Sequence, residues 1–265
     1  MRLSSKIRVE PLSLAFAVFG GLVLLFIVAP LISMFVRCSP GELVETAKDA
    51  EVRNSIWLTL WTSMAATVIF AVAAIPFAYL LARKDFPLKR LVTAIIDLPV
   101  VIPHSAAGIA LLGVISRNGF LGKAAGKIGF SFVDSVAGIM MAMAFVSIPY
   151  LINSARDGFL AVPVRLEKAA LSLGASPLQV FLTVSVPLAW RAILSGLILM
   201  WARGMSEFGA VLIIAYQPMI TPVLIYERFT SFGLKYARPV AVLFISVCLI
   251  FFITLRLLAR EKQNA

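Results

Sequence analysis

The chain has 265 residues, of which 61% are hydrophobic and 14% charged, and its formal net charge is +11. A soluble domain is usually about half apolar and about a quarter charged, so this composition excludes an ordinary soluble protein and indicates an integral membrane protein. The basic residues are dispersed between apolar segments instead of clustering with aromatic residues. They therefore argue against a nucleic-acid partner and serve as a signal of membrane topology, with lipid as the surrounding medium.

Six segments are long and apolar enough to cross a hydrocarbon core of about 30 Å at a rise of about 1.5 Å per residue. They are predicted near Leu12–Val36, Ser55–Ala82, Leu91–Ile115, Ser135–Ser154, Ile193–Tyr216 and Val240–Leu258. The first is too long for the apolar region of a secretory signal, and no small-x-small cleavage pattern follows it, so we interpret it as a retained span. The prediction is an all-α integral membrane fold in which residues 1–265 form a single transmembrane domain.

The distribution of lysine and arginine predicts the orientation in the membrane. Most of those in the connections lie on the side that also carries both termini and the segment from about residue 157 to 190. Because cytoplasmic loops carry an excess of these residues, we expect a multi-pass protein of the cell membrane with both termini in the cytoplasm.

Three connections and two cysteines complete this outline. We expect a small amphipathic helix within Gly41–Val52, an irregular glycine-rich connection over Ser116–Asp134, and a short re-entrant or interfacial helix within Gln217–Arg238. Cys38 and Cys248 are predicted at different depths, so no disulfide is expected. With a single histidine they make no metal site, and no Walker A pattern occurs, so no cofactor is expected on this chain.

Two spans carry polar residues that are candidates for a translocation path or gate. They are Pro99, Pro103, His104 and Ser105 in the third span, and Arg203, Ser206 and Glu207 in the fifth. Two prolines four residues apart remove helical hydrogen bonds and predict a break or kink. His104, at that break, could act as a proton relay or ligand contact, but we expect a freed backbone carbonyl to satisfy it. Asp97 is expected to face water or the neighbouring basic loop.

The fifth span places Arg203 and Glu207 one helical turn apart on the same face. Ionisable groups inside a span are costly and usually face a partner or a wet cavity. The two residues could form a structural ion pair. Alternatively, Arg203 and its symmetry mate could favour a passing dianion, with Glu207 positioning the arginine.

The segment Leu166–Leu188, termed the elbow, is a two-helix unit too polar to span a bilayer. Pro163 is expected to open its first helix, and Gly174 to close that helix in the left-handed conformation. Ser176 followed by Pro177 is typical of an N-cap and the first helical position, which predicts a second helix running towards Pro187.

The elbow resembles the cytoplasmic loop of ABC importer permeases, whose motif is E-A-A-x3-G-x9-I-x-L-P. Ala169, Ala170, Gly174 and Pro187 are in register with it, whereas Lys168 occupies the glutamate position and Glu167 comes one residue earlier. A glutamate contact to the ATPase therefore does not carry over. The resemblance implies that the loop couples to an ATPase, and the candidate residues are Glu167, Lys168, Ala169, Ala170, Gly174, Ala175, Ser176, Pro177, Phe181 and Pro187. Phe181 could anchor in a groove of the ATPase, or it could equally pack under its own loop.

The runs Asp97–Leu112 and Trp201–Ala215 resemble the permease subunits of molybdate/tungstate ABC importers, and Tyr216–Phe229 is most similar to the archaeal type. That resemblance implies a type I importer fold: a homodimer of six-helix subunits on two ATPases that bind ATP and Mg²⁺, served by an extracytoplasmic oxyanion-binding protein. The chain itself would not be an enzyme.

Three alternatives stand beside this interpretation. The first is a permease for sulfate, thiosulfate or another small anion, and the second is an ion-coupled secondary carrier. A membrane-embedded hydrolase is disfavoured, because Ser105 and His104 are neighbours that do not share a helix face.

Overall fold

The computed structural model describes residues 11–261, and within them the regular structure is entirely helical. The α-helices are α1 (Pro11–Val36), α2 (Pro40–Lys48), α3 (Ala50–Arg83), α4 (Lys89–Val101), α5 (His104–Ile115), α6 (Phe120–Gly126), α7 (Val136–Ala161), α8 (Val164–Ser172), α9 (Pro177–Val180), α10 (Val186–Met205), α11 (Gly209–Ile214), α12 (Thr221–Phe232) and α13 (Leu234–Glu261). A π-helical turn, Phe181–Ser185, joins α9 to α10.

The predicted set of membrane spans is confirmed in number, by length and composition. Five described helices qualify alone, namely Leu12–Val36, Ala50–Arg83, Val136–Ala161, Pro177–Met205 and Leu234–Thr254. A sixth span is possible where α4 and α5 follow one another with a bend of 116°. The bend confirms the break predicted from the two prolines. Pro99 itself lies buried inside α4, and the helix is interrupted at Ile102 and Pro103.

The described residues group into two compact units. One comprises residues 51–227, and the other comprises the residues up to 50 together with those from 228 onward. The larger unit has two apolar cores, and α7 contributes to both of them. Phe159 and Leu151 belong to the core shared with α3 and α10, while Ile139 and Met143 belong to the core shared with α5 and α11.

Small residues let α7 and α10 approach closely. A Cβ atom added at Gly158 would lie 2.5 Å from Ala192 Cβ, and one added at Gly196 would lie 2.9 Å from Ser154 Cβ. Such positions permit close packing of helices where burial alone gives little driving force in lipid.

In the smaller unit, the helix expected within Gly41–Val52 is present as α2. Ser39 caps it, and the Arg228 Nη2 to Asp49 Oδ2 distance is 2.6 Å. Both Cys38 and Cys248 are free, so the prediction that they form no disulfide is confirmed.

The prediction of a fifth span over Ile193–Tyr216 is wrong at both ends. Helix begins at Pro177 and runs through the π turn to Met205, after which α11 is a separate short helix. The helix stops because the Glu207 carboxylate accepts the backbone N–H of Ala210 (2.9 Å), which caps α11.

The expectation of an irregular connection over Ser116–Asp134 is also corrected, because α6 lies within it. Gly122 is needed there for close backbone approach, since a Cβ at this position would lie 1.8 Å from Ser116 O. The short helix expected within Gln217–Arg238 is confirmed as α12.

Candidate functional site

The polar residues of the two interrupted spans meet in one charged cluster, formed by His104, Arg203, Ser206 and Glu207. Arg203 Nη2 lies 2.9 Å from Glu207 Oε2, so the predicted ion pair forms. His104 Nδ1 lies 2.8 Å from the same carboxylate oxygen and 2.6 Å from Arg203 Nη2. Arg203 Nη1 also donates to Ser206 Oγ at 3.2 Å. The expectation that a freed carbonyl would satisfy His104 is wrong, because its partners are the two charged side chains.

The histidine nitrogen has two partners that make opposite demands. Nδ1 accepts a hydrogen bond from Arg203 only when it carries no proton, and it donates to Glu207 only when it carries one. The cluster therefore has two hydrogen-bond arrangements, which differ in whether the carboxylate is held by the arginine alone or by both cations.

Exposure orders the cluster from a buried anion to an accessible cation. The Glu207 side chain is 1% exposed, that of Arg203 is 21% exposed and that of His104 is 40% exposed. An anion arriving from the open side would meet hydrogen-bond donors first, with the neutralising carboxylate behind them. Full exposure of Arg203 would attract an anion more strongly than this paired arrangement does.

The two helix breaks pack back to back, which fixes the cluster in place. A Cβ atom added at Gly209 would lie 2.9 Å from His104 Cβ and 3.1 Å from Ser105 N, and one added at Gly108 would lie 3.0 Å from Ala210 Cα. Pro103 and Ser105 are exposed beside His104. Asp97 does not face water or the basic loop, because it accepts a hydrogen bond from Asn153 Nδ2 at 2.6 Å.

The elbow has the capping chemistry that its sequence predicts. Gly174 has φ +90°, a conformation that favours glycine. Ser176 Oγ accepts the N–H of Gln179 at 3.3 Å, while Gln179 Oε1 accepts the N–H of Ser176 at 2.7 Å, and Pro177 follows directly. Pro163 is displaced by one position from the prediction, since it is the N-cap of α8 and not its first helical residue.

The second helix of the elbow passes Pro187 instead of ending there. Proline cannot donate to the carbonyl four residues earlier, and the π-helical turn Phe181–Ser185 lies directly before it. The elbow is thereby continuous with α10.

Glu167 is buried against its own subunit. Its carboxylate accepts from Arg83 Nε at 2.9 and 3.0 Å, from Arg83 Nη2 at 2.9 Å and from Ser185 Oγ at 2.7 Å, with the Tyr79 hydroxyl at 3.4 Å. Burial, the largest single influence, raises the pKa of Glu167, but the hydrogen bonds from Arg83 and Ser185 together outweigh it and leave the pKa below its ordinary value. No sequence pattern pairs Glu167 with Arg83, which lies 84 residues away.

The Phe181 ring packs under its own loop, which is the second of the two alternatives from the sequence. Its centroid lies 5.0 Å from that of Tyr79 and 6.1 Å from that of Phe159. The exposed apolar residues of the elbow are others that the sequence did not single out: Leu173 is 89% exposed and Leu178 is 66% exposed. Their signal in the sequence was a leucine on either side of the Gly174 turn.

Comparison with known proteins places both features in one family. Residues 74–263 match the family model described as "Binding-protein-dependent transport system inner membrane component". The chain belongs to this family. It is therefore the membrane component of a transport system, and the matched residues contain both the charged cluster and the elbow.

Two relatives illustrate the range of similarity within these permeases. The molybdate/tungstate transport system permease protein WtpB of Thermococcus kodakarensis is 44% identical over 250 residues, covering 94% of this chain and 96% of that protein. The probable sulfate transport system permease protein cysT of Nephroselmis olivacea is 33% identical over 218 residues, covering 80% of this chain and 77% of that protein.

A solved structure of an importer has the same fold. A bacterial ABC transporter involved in the import of the acidic polysaccharide alginate matches with a TM-score of 0.73 at 15% identity, covering 94% of this chain and 95% of that chain. The permease thus has the type I ABC importer fold predicted from its sequence. Among the residues that the structure describes, no group of three or more His, Cys, Asp or Glu side chains could hold a metal ion.

Proposed function

We propose that this chain is the permease subunit of an ABC importer that carries molybdate or tungstate, delivered by an extracytoplasmic binding protein and driven by a separate ATPase. The observation that carries the proposal is 44% identity to a molybdate/tungstate permease over nearly the whole length of both chains. The sulfate permease is less similar and covers less of the chain, so sulfate is the second candidate and not the first. The chain performs no catalysis; ATP and Mg²⁺ bind to the ATPase.

The elbow is the part that meets the ATPase. Leu173 and Leu178 are exposed apolar side chains on either side of the Gly174 turn, and exposed apolar residues that cluster indicate a docking surface. The remaining exposed residues of the turn, including Lys168, Ala169 and Pro187, form its surroundings. Burial of Phe181 supports a role in holding the elbow in shape.

The charged cluster lies on the translocation path, in a homodimer whose two-fold axis brings two clusters together. Partial exposure of Arg203 and His104 supports contact with an oxyanion. Pairing with Glu207 weakens that attraction, which suits a conduit, because a tight site would retain its cargo. Exposed Ser105 and Ser206 add hydroxyl donors beside it.

The orientation of the permease follows from this assignment. The elbow and both termini face the cytoplasm, in agreement with the lysine and arginine bias, and the connection that contains α6 faces outward, where the binding protein docks.

The test is reconstitution with the ATPase, the binding protein and labelled oxyanion in proteoliposomes. Leu173→Glu is expected to abolish co-purification of the ATPase, because it places a charge in the docking surface. Ile128→Glu is the matched control, since Ile128 is 83% exposed on the connection assigned to the other side. The opposite result for the two variants would refute the orientation.

Cargo and energy source are tested in the same vesicles. Excess unlabelled molybdate or tungstate is expected to compete with uptake better than excess sulfate does. Stronger competition by sulfate would favour the second candidate. Uptake driven by an ion gradient without ATP or the ATPase would show that the protein is a secondary carrier.

A further inference from the structure

We propose that Glu167 is a positioning residue that, through Arg83 and Ser185, fastens the elbow to the end of α3, so that movement of the elbow is passed to the core of the larger unit. The inference rests on the proposed coupling of the elbow to an ATPase. It goes beyond that proposal by assigning a residue that faces away from the ATPase and acts after docking.

Burial separates Glu167 from the rest of the elbow surface. From Val164 at the start of α8 to Gln179, all of which the structure describes, Glu167 is the only buried residue. The neighbouring Lys168 and Leu173 are exposed and face outward. The first helix of the elbow therefore presents one inward-facing side chain, and that side chain is a carboxylate.

The carboxylate joins three segments of the chain. Arg83, the last residue of α3, donates to it through Nε and Nη2, and Arg83 Nη2 also donates to Val162 O at 3.0 Å, just before α8 begins. Ser185, the last residue of the π-helical turn, donates to it at 2.7 Å. A movement of α8 thus acts on α3 through the arginine and on α10 through the serine.

Stability alone does not account for this arrangement. A buried ion pair stabilises a fold little more than well-packed apolar residues of the same volume, because desolvation offsets the attraction. The pair differs from apolar packing in being directional, since the guanidinium and the carboxylate fix one relative orientation. The site also includes a π-helical turn, a feature frequent at functional sites.

The consequence is a specific loss of coupling. Glu167→Gln keeps the volume but removes the charge that holds Arg83. The ATPase should still dock, because its contact surface is unchanged, and it should still hydrolyse ATP. Oxyanion imported per ATP hydrolysed is expected to fall by about tenfold, within the range of coupling energies between sites.

The experiment measures that ratio in proteoliposomes with the complete importer, using molybdate as the probe. Glu45→Gln is the matched control, because it makes the same chemical change at an exposed residue of α2 and should keep the parental ratio. Arg83→Gln combined with Glu167→Gln should be no worse than either change alone, since both break one contact. A purely structural role would instead lower the Tm and leave the ratio unchanged.

The outcomes separate this inference from the proposed function. If the parent neither binds the ATPase nor imports molybdate, the proposed function fails. If the parent is coupled and Glu167→Gln has the parental ratio, the inference is overturned. Should Glu167→Gln not fold, Ser185→Ala decides by the same measurement: a reduced ratio in the folded variant supports the inference, and a parental ratio overturns it.

Discussion

Two glycines of α5 offer a test of how the two helix breaks pack. A Cβ at Gly108 would lie 3.0 Å from both Ala210 Cα and Ile213 Cβ, so Gly108→Ala must push α5 and α11 apart. Overpacking of this kind costs about 1–3 kcal/mol, while replacing a helical glycine by alanine returns about 0.5–1 kcal/mol. At Gly113, on the same helix, no heavy atom lies within 4 Å, so Gly113→Ala has the gain without the cost.

The difference between the two variants isolates the packing cost, which we expect to be about 1–3 kcal/mol in favour of Gly113→Ala. Thermal unfolding in detergent measures it, at about 2–4 °C in Tm per kcal/mol for a chain of this size. Oxyanion uptake should fall in Gly108→Ala as well, because His104 lies on the displaced helix. Equal Tm values for the two variants would refute the close packing of α5 on α11.

Three further predictions concern hydrogen bonds. Although burial raises the pKa of Glu167, its hydrogen bonds hold that pKa below 4.5; its contribution to stability is therefore present above pH 4.5 and lost as the pH falls through the folded value, so Tm measured from pH 7 downward should fall less in Glu167→Gln. Ser176→Ala removes the N-cap of α9 and should destabilise the elbow by about 1 kcal/mol, seen as faster hydrogen exchange there. Thr59→Val leaves the buried N–H of Thr221, now 2.8 Å from Thr59 Oγ1, without its acceptor and should cost about 1–3 kcal/mol of unfolding free energy; Thr67→Val, whose hydroxyl donates to the Ser63 carbonyl of its own helix, should cost less.

Local chemistry explains what could be predicted from the sequence. Ser176 and Gly174 mark the elbow because capping depends on residues within a single turn, and both have the conformations expected of them. Pro103 marks the break in the third span for the same reason, since proline acts on the helix that contains it.

Contacts between distant segments explain the errors. The apolar run after Met205 continues to Tyr216, so hydropathy alone could not show that Glu207 caps a new helix there. His104 and Glu207 are 103 residues apart, and only the packing of α5 on α11 brings them together. The orientation of Phe181 likewise depends on Tyr79, which another helix contributes.

The elbow and the charged cluster stand at opposite ends of one continuous rod. Pro177–Met205 contains 29 residues, which at about 1.5 Å per residue makes it about 43 Å long. Tilting a rod of that length by about 5° around one end displaces the other by about 4 Å. That displacement exceeds the 2.9 Å between Arg203 Nη2 and Glu207 Oε2, so a slight pivot at the cytoplasmic surface would be enough to free the arginine deep in the membrane.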